Sequence, residues 1–185
     1  MGVRSFIAVE FDDPVILGSL GRVQRTLEGT GADIKSVEGE NMHLTLKFLG
    51  DVEEVLLEEV KEFVTRVEFQ PFEMELRGIG AFPNLRRPRV VWAGVSRGVS
   101  EMEAVFNDLE AGLSKLGFRR EGRRFSPHLT LARVRSGRNR ERLAEAIGEA
   151  EEVEFGAFEV AHVKLKSSVL TPRGPIYSTL TPSGG

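Results

Sequence analysis

Two stretches of the chain carry the same four residues, His43-Leu44-Thr45-Leu46 and His128-Leu129-Thr130-Leu131. Each lies in a run of β-favouring residues bounded by turn formers, so each is read as a strand. Alternate side chains on a strand share a face, which puts His43 with Thr45 on one side and Leu44, Leu46 and Phe48 on the other. The second copy likewise pairs His128 with Thr130 and backs them with Leu129 and Leu131. A shuffled chain with three His and eight Thr repeats this His-x-Thr spacing only about once in two hundred, so chance is set aside.

Histidine, with an ordinary pKa of about 6.5, can be neutral in one copy and protonated in another near neutral pH. Two imidazoles can therefore act as base and acid in one reaction. That suits in-line displacement at phosphorus, where one removes a proton from the attacking water or hydroxyl and the other protonates the departing oxygen on the far side. Two Thr hydroxyls could hold the non-bridging oxygens. Each proton transfer typically contributes about 10²–10⁴ in rate, enough together for a strained phosphodiester such as a 2′,3′-cyclic phosphate without a metal. His162 has Lys164 two places on and is read as structural or exposed. No carboxylate-histidine spacing suggests a metal site. The absence of Cys removes disulfides, thiolate metal sites and a cysteine nucleophile. There is no G-x-x-x-x-G-K-[ST] loop and no Lys-x-Asp-Gly stretch, so ATP-driven ligation is disfavoured and no cofactor is expected.

The elements that must place these residues also repeat. Residues 4–11 alternate as a strand, and Asp13 and Pro14 supply an N-cap and first-turn proline for a helix with Ile16, Leu17, Leu20, Val23 and Leu27 on its apolar stripe. A short strand at 34–37 leads to the first motif strand, 42–49. Asp51 with Glu54 gives a capping box for a second helix, and 72–79 reads as another strand. After a turn-rich basic connection at 81–89 comes a second round. It comprises a strand at 90–95, a helix capped by Ser100 with Glu103, the second motif strand at 125–134, and a helix after a cap at Ser136. Strands at 153–166, 167–171 and 176–180 complete it. Both halves keep the order strand, helix, strand, motif strand, helix, strand, with similar spacing from first helix cap to motif histidine. We expect one domain over 1–185 with an internal repeat of roughly 3–80 and 88–172. The fold class is α+β: bilobal, pseudo-two-fold, with two antiparallel sheets lining a central cleft and helices outside.

The formal charge of -3 argues against a general nucleic-acid coat, yet nine Arg fall between Gly117 and Arg142 against only Glu121 and Glu141. With Arg86, Arg87 and Arg89 this cluster brackets the candidate phosphate site, which favours RNA contact over a merely solvated face. Phe82 and Phe125 are candidates to stack bases. No run of about 18 apolar residues and no signal peptide is evident, so a cytoplasmic protein without membrane contact is expected.

The stretches RSFIAVEF with Pro14, ENMHLTLKFLGD at 40–51, FSPHLTLAR at 125–133 and the C-terminal KSSVLTPRGPIYSTL resemble the two-histidine phosphoesterase superfamily. Within it they resemble the RNA 2′,3′-cyclic phosphodiesterase branch, also called the 2′-5′ RNA ligase family. The resemblance spans nearly the whole chain. It implies hydrolysis of RNA 2′,3′-cyclic phosphate ends, tRNA fragments among them, to 2′-phosphomonoesters, and in some members reversible ATP-independent 2′-5′ joining. It also implies a monomer with His43 as the acid that protonates the leaving 3′ oxygen and His128 as the base. Thr45 and Thr130 would bind phosphate. Arg133 matches an arginine that commonly follows the second motif; strict alternation from His128 puts it on the leucine face, so it reaches the cleft only if the strand bulges or twists. Two other functions stay open: a phosphodiesterase for a small cyclic nucleotide or ADP-ribose cyclic phosphate, and a non-catalytic RNA-binding module.

Overall fold

The computed structural model describes residues 2–182, and its fold is α+β. In chain order the elements are β1 (Val3–Val9), α1 (Pro14–Gly29), β2 (Ile34–Ser36), β3 (Leu44–Val52), α2 (Glu54–Thr65), β4 (Phe72–Phe82), β5 (Val90–Arg97), α3 (Val99–Lys115), β6 (His128–Val134), α4 (Arg140–Glu149), β7 (Glu154–Val160), β8 (Lys164–Thr171) and β9 (Gly174–Thr179). The nine strands run β7-β4-β5-β6-β3-β1-β8-β9, with β2 also on β6, and every pairing is antiparallel. The two antiparallel sheets expected from the sequence are thus joined, and the joint is a single pair, Leu44 with Leu129. Helices α1 and α4 pack on the β7-β4-β5-β6 side, while α2 and α3 pack on the β3-β1-β8 side.

Each sheet borrows from both halves of the chain. β4 follows α2 but pairs with β5 and β7, and β8 follows β7 but pairs with β1 and β9. This exchange explains why the strand expected over 153–166 is broken. Its first part, β7, lies on β4 and its second, β8, on β1, and 161–163 carry the chain between sheets. Caps also differ from expectation. Asp13 does cap α1, its Oδ1 accepting from the Val15 and Ile16 N–H groups at 2.8 and 3.0 Å. Asp51, however, is still inside β3, so α2 starts after Glu53. α3 starts after Gly98 (φ 85) rather than at Ser100, and α4 after Asn139 (φ 50) rather than at Ser136. Short left-handed turns out of a strand replace the side-chain caps there.

Both motif strands bulge at the same step. Ala8 lies opposite Thr45 and Ile7 opposite Lys47, so Leu46 is an extra residue in β3; Trp92 lies opposite Thr130 and Val91 opposite Ala132, so Leu131 is extra in β6. A bulge resets the alternation. Accordingly Leu44, Leu46 and Lys47 are buried, as are Leu129, Leu131 and Ala132, whereas Phe48 and Arg133 are exposed. The expectation that Phe48 sits on the leucine face is therefore wrong: beyond the bulge it returns to the face of His43, with its ring 6.0 Å from that of Phe6. Arg133 returns to the face of His128 for the same reason.

Buried polar side chains hold these bulges from behind. Gln24 of α1 donates from Nε2 to the Val37 and Leu131 carbonyls at 2.7 and 2.9 Å. On the other side Lys47 pairs with Glu110 of α3 and donates to the Arg119 carbonyl at 2.9 Å, while Glu110 Oε2 accepts the Glu121 N–H at 2.8 Å. These bonds satisfy the backbone of 119–121, and the second motif strand, expected over 125–134, begins only at His128. Among the described residues no helix is long and apolar enough to cross a membrane.

With both side chains 7% exposed, Lys47→Met strands an unpaired carboxylate beside α3. It should cost about 3–5 kcal/mol in urea unfolding. The double variant Lys47→Met with Glu110→Leu should recover much of that loss, and equal losses in the single and double variants would show that the pair does not hold the segment.

Candidate active site

The junction pair sets the site. One step either side of Leu44 and Leu129, antiparallel register brings His43 opposite Thr130 and Thr45 opposite His128. The four motif side chains thus form two diagonals, histidine to histidine and threonine to threonine, on the face opposite the buried leucines. A slip of one residue in either strand would send its histidine into the helix layer.

Each imidazole is oriented in the same way. His43 Nδ1 is 2.7 Å from the Asn41 carbonyl and His128 Nδ1 is 2.8 Å from the Ser126 carbonyl, each two residues back. A carbonyl only accepts, so Nδ1 carries the hydrogen in both rings and Nε2 is left to take or give a proton. An aromatic edge completes each setting: Tyr177 stands at 88° to His43 with centroids 5.1 Å apart, and Phe82 at 88° to His128 at 4.9 Å. Phe6 packs at 4.9 Å on His43. These contacts restrict the ring rotations that would carry Nε2 off the shared face.

The electrostatics are uneven. Burial lowers the pKa of His43 below 6.5; its bond to Asn41 opposes that shift and the Arg133 charge adds to it. Unliganded, His43 is therefore neutral at neutral pH. Arg133 lies opposite Lys35 of β2 and Val90 of β5. From there its charge reaches His43 and also Tyr177, whose phenol is raised by burial and lowered again by Arg133 and Arg4. An anion bound on this face meets two cations, and its own charge favours a proton on His43.

His43, Thr45, His128 and Thr130 are brought together, all half-buried, and Arg133 joins them through the bulge. His162 is exposed in the crossing at 161–163. Phe125 lies flat on Phe106 at 4.5 Å against the core, so of the two rings expected to meet bases only Phe82 adjoins a histidine. The sequence reading missed Tyr177, Phe6 and Trp92. Trp92 lies beside Thr130 with its ring over Gly80, where a Cβ would come within 2.5 Å of it; its indole N–H is buried without a partner. That Trp92 and Tyr177 are the only Trp and Tyr of the chain is the one signal the sequence offered. Lys166 faces the same side but is bonded to Glu10 and, at 3.2 Å, to Thr179. No group of three or more His, Asp or Glu among the described residues could hold a metal ion.

Known proteins share this arrangement of chain. An RNA 2′,3′-cyclic phosphodiesterase of Methanothermobacter thermautotrophicus is 46% identical over 186 positions, covering 97% of each chain. One of Aeropyrum pernix is 43% identical over 165 positions, covering 89% of this chain and 94% of that one. The crystal structure of TT0787 of Thermus thermophilus has a TM-score of 0.76 at 29% identity, over 96% of this chain and 94% of its own. Residues 13–92 and 95–177, each holding one His-x-Thr strand, both match the LigT-like phosphoesterase pattern, and the chain belongs to that family.

Proposed function

We propose that the protein hydrolyses the 2′,3′-cyclic phosphate at RNA ends to a 2′-phosphomonoester, using His43 and His128 and neither metal nor ATP. The observation that carries this reading is the Leu44–Leu129 register, which sets two Nε2 atoms on one diagonal and two hydroxyls on the other. The archaeal relatives named for this reaction support the choice of substrate. His128 Nε2 takes a proton from water, the water oxygen bonds to phosphorus, the P–O3′ bond breaks, and His43 Nε2–H protonates the 3′ oxygen. Thr45 and Thr130 hold the non-bridging oxygens, and Arg133 draws the phosphate in and balances its charge. A 5′-hydroxyl in place of water would give a 2′-5′ bond by the same step, driven by the strain of the cyclic ester.

His43 must gain its proton for this role, and substrate supplies the reason. The phosphate anion offsets the burial and the Arg133 charge that keep the free imidazole neutral. Removing a positive neighbour stabilises the imidazolium, so Arg133→Gln should raise the His43 pKa in an NMR titration; an unmoved titration would place Arg133 outside its reach.

Purified protein with EDTA and without ATP should convert an oligonucleotide 2′,3′-cyclic phosphate wholly to the 2′-phosphate. His43→Ala and His128→Ala should each lower kcat by roughly 10²–10⁴. Binding without turnover by the wild type would favour the RNA-binding module instead. A 3′-phosphate product would reverse the leaving group assigned to His43.

A further inference from the structure

The β8–β9 hairpin reaches from one sheet to the other. Its root lies on β1, where Ser5 to Ala8 pair with Ser167 to Lys164, and Lys166 fastens it on the histidine side through Glu10 and Thr179. Midway, the Ser168–Tyr177 pair brings the Tyr177 ring edge-on to His43 of β3. At the tip the Arg173 carbonyl accepts a hydrogen bond of 2.6 Å from Lys35 Nζ. Lys35 belongs to β2, which lies on β6 with Lys35 opposite Arg133. The hairpin therefore passes over His43 and ends beside the other motif strand.

Little else holds its outer half. Val169 and Leu170 are neighbours on opposite faces of β8, yet they are 61% and 66% exposed, and Ile176 is exposed as well. Neither face of the hairpin is packed there, and a two-stranded hairpin with no covered face is marginal in water. Inside the tip, Thr171 Oγ1 donates to the Gly174 carbonyl at 2.7 Å and accepts from the Arg173 N–H at 3.2 Å, which shapes the turn without fastening it. Among the described residues, the bond from Lys35 is the one hydrogen bond that joins 169–176 to the rest of the protein. The fit at that point is close. Gly174 has φ 135, and a Cβ built on it would lie 3.0 Å from Lys35 Nζ.

We propose that Lys35 is a positioning residue: it latches the β8–β9 hairpin across the face that carries the motif side chains, and so keeps Tyr177 on His43. Its charge-assisted bond is made where the hairpin has no packing of its own, so loss of this one side chain frees the outer half. Tyr177 then leaves His43 for part of the time, and the ring that orients the imidazole and shields it from water is withdrawn. The other titratable groups around His43 are Arg133 and His128 of β6; Arg4 of β1 acts on Tyr177, and Lys166 of β8 is neutralised by Glu10. The consequence for turnover rests on the cyclic-phosphodiesterase reading, whereas the latch itself does not.

Hydrogen exchange and an NMR titration of His43 read the latch without activity. Lys35→Met should speed exchange of the 169–176 amides roughly tenfold and leave those of Leu165 and Leu180 at the root unchanged. With less burial the His43 pKa should rise toward its ordinary 6.5. On an oligonucleotide 2′,3′-cyclic phosphate kcat/KM should fall about tenfold, and Lys35→Arg, which can still donate to the Arg173 carbonyl, should restore all three readings. In a Tyr177→Ala background Lys35→Met should move neither the titration nor the rate any further. Equal shifts in both backgrounds would mean that Lys35 acts on His43 or on the phosphate directly, and unchanged exchange at 169–176 would mean that the hairpin stands without it; either result overturns the latch. Exchange and titration that move as expected in a protein inert on cyclic phosphate would uphold the latch and overturn the cyclic-phosphodiesterase reading.

Discussion

One pair of leucines holds the two sheets in register. Leu44 and Leu129 form the single ladder pair between β3 and β6, and both are buried under the helix layer. Each anchor fixes its flanking residues by the period of a strand, so the same pair that closes the core sets which histidine faces which threonine. Core and site are therefore one constraint. A histidine on an isolated strand gains nothing from such a pairing; two antiparallel copies gain a four-cornered set of two imidazoles and two hydroxyls. Beyond this joint β3 and β6 form no further ladder pair, so the register of the two motifs rests on it alone.

The second constraint is the bulge that each motif strand carries. Without it Arg133 would point into the helices, and Phe48 would add a ring to the core. With it, a cation joins the histidine face on one side and an aromatic on the other, and the outer two corners of a pseudo-symmetric site become chemically distinct. The polar residues behind the sheet follow the same logic. Gln24 of α1, 8% exposed, bonds the carbonyl of Leu131, the extra residue itself, and the Lys47–Glu110 pair holds the other side. Buried polar groups are costly unless fully bonded, so their presence next to both bulges marks where the backbone departs from regular pairing.

Much of this was legible from residue order. The paired His-x-Thr strands, the Asp13-Pro14 start of α1 and the inward stripes of the helices rest on local periodicity, and local periodicity survives into the fold. What failed depended on contacts between distant segments. Phe48 was misplaced because alternation has no term for an extra residue, and the extra residue is fixed by pairing with β1 and by polar contacts from α3. The same bulge in β6 resolved Arg133, which alternation alone had turned away. The break at 161–163 was hidden because β-favouring residues run through it; only the exchange of strands between sheets requires it. Tyr177 comes to His43 from the last strand, at a separation no local pattern spans.

The central claim is that both motifs act on a single phosphorus centre. A crystal grown with inorganic phosphate would test it most directly. The account predicts one phosphate with oxygens within hydrogen-bond reach of Nε2 of both His43 and His128 and of the Thr45 and Thr130 hydroxyls, with Arg133 turned toward it. Phosphate bound at one motif alone, or histidines too far apart to share it, would contradict the account.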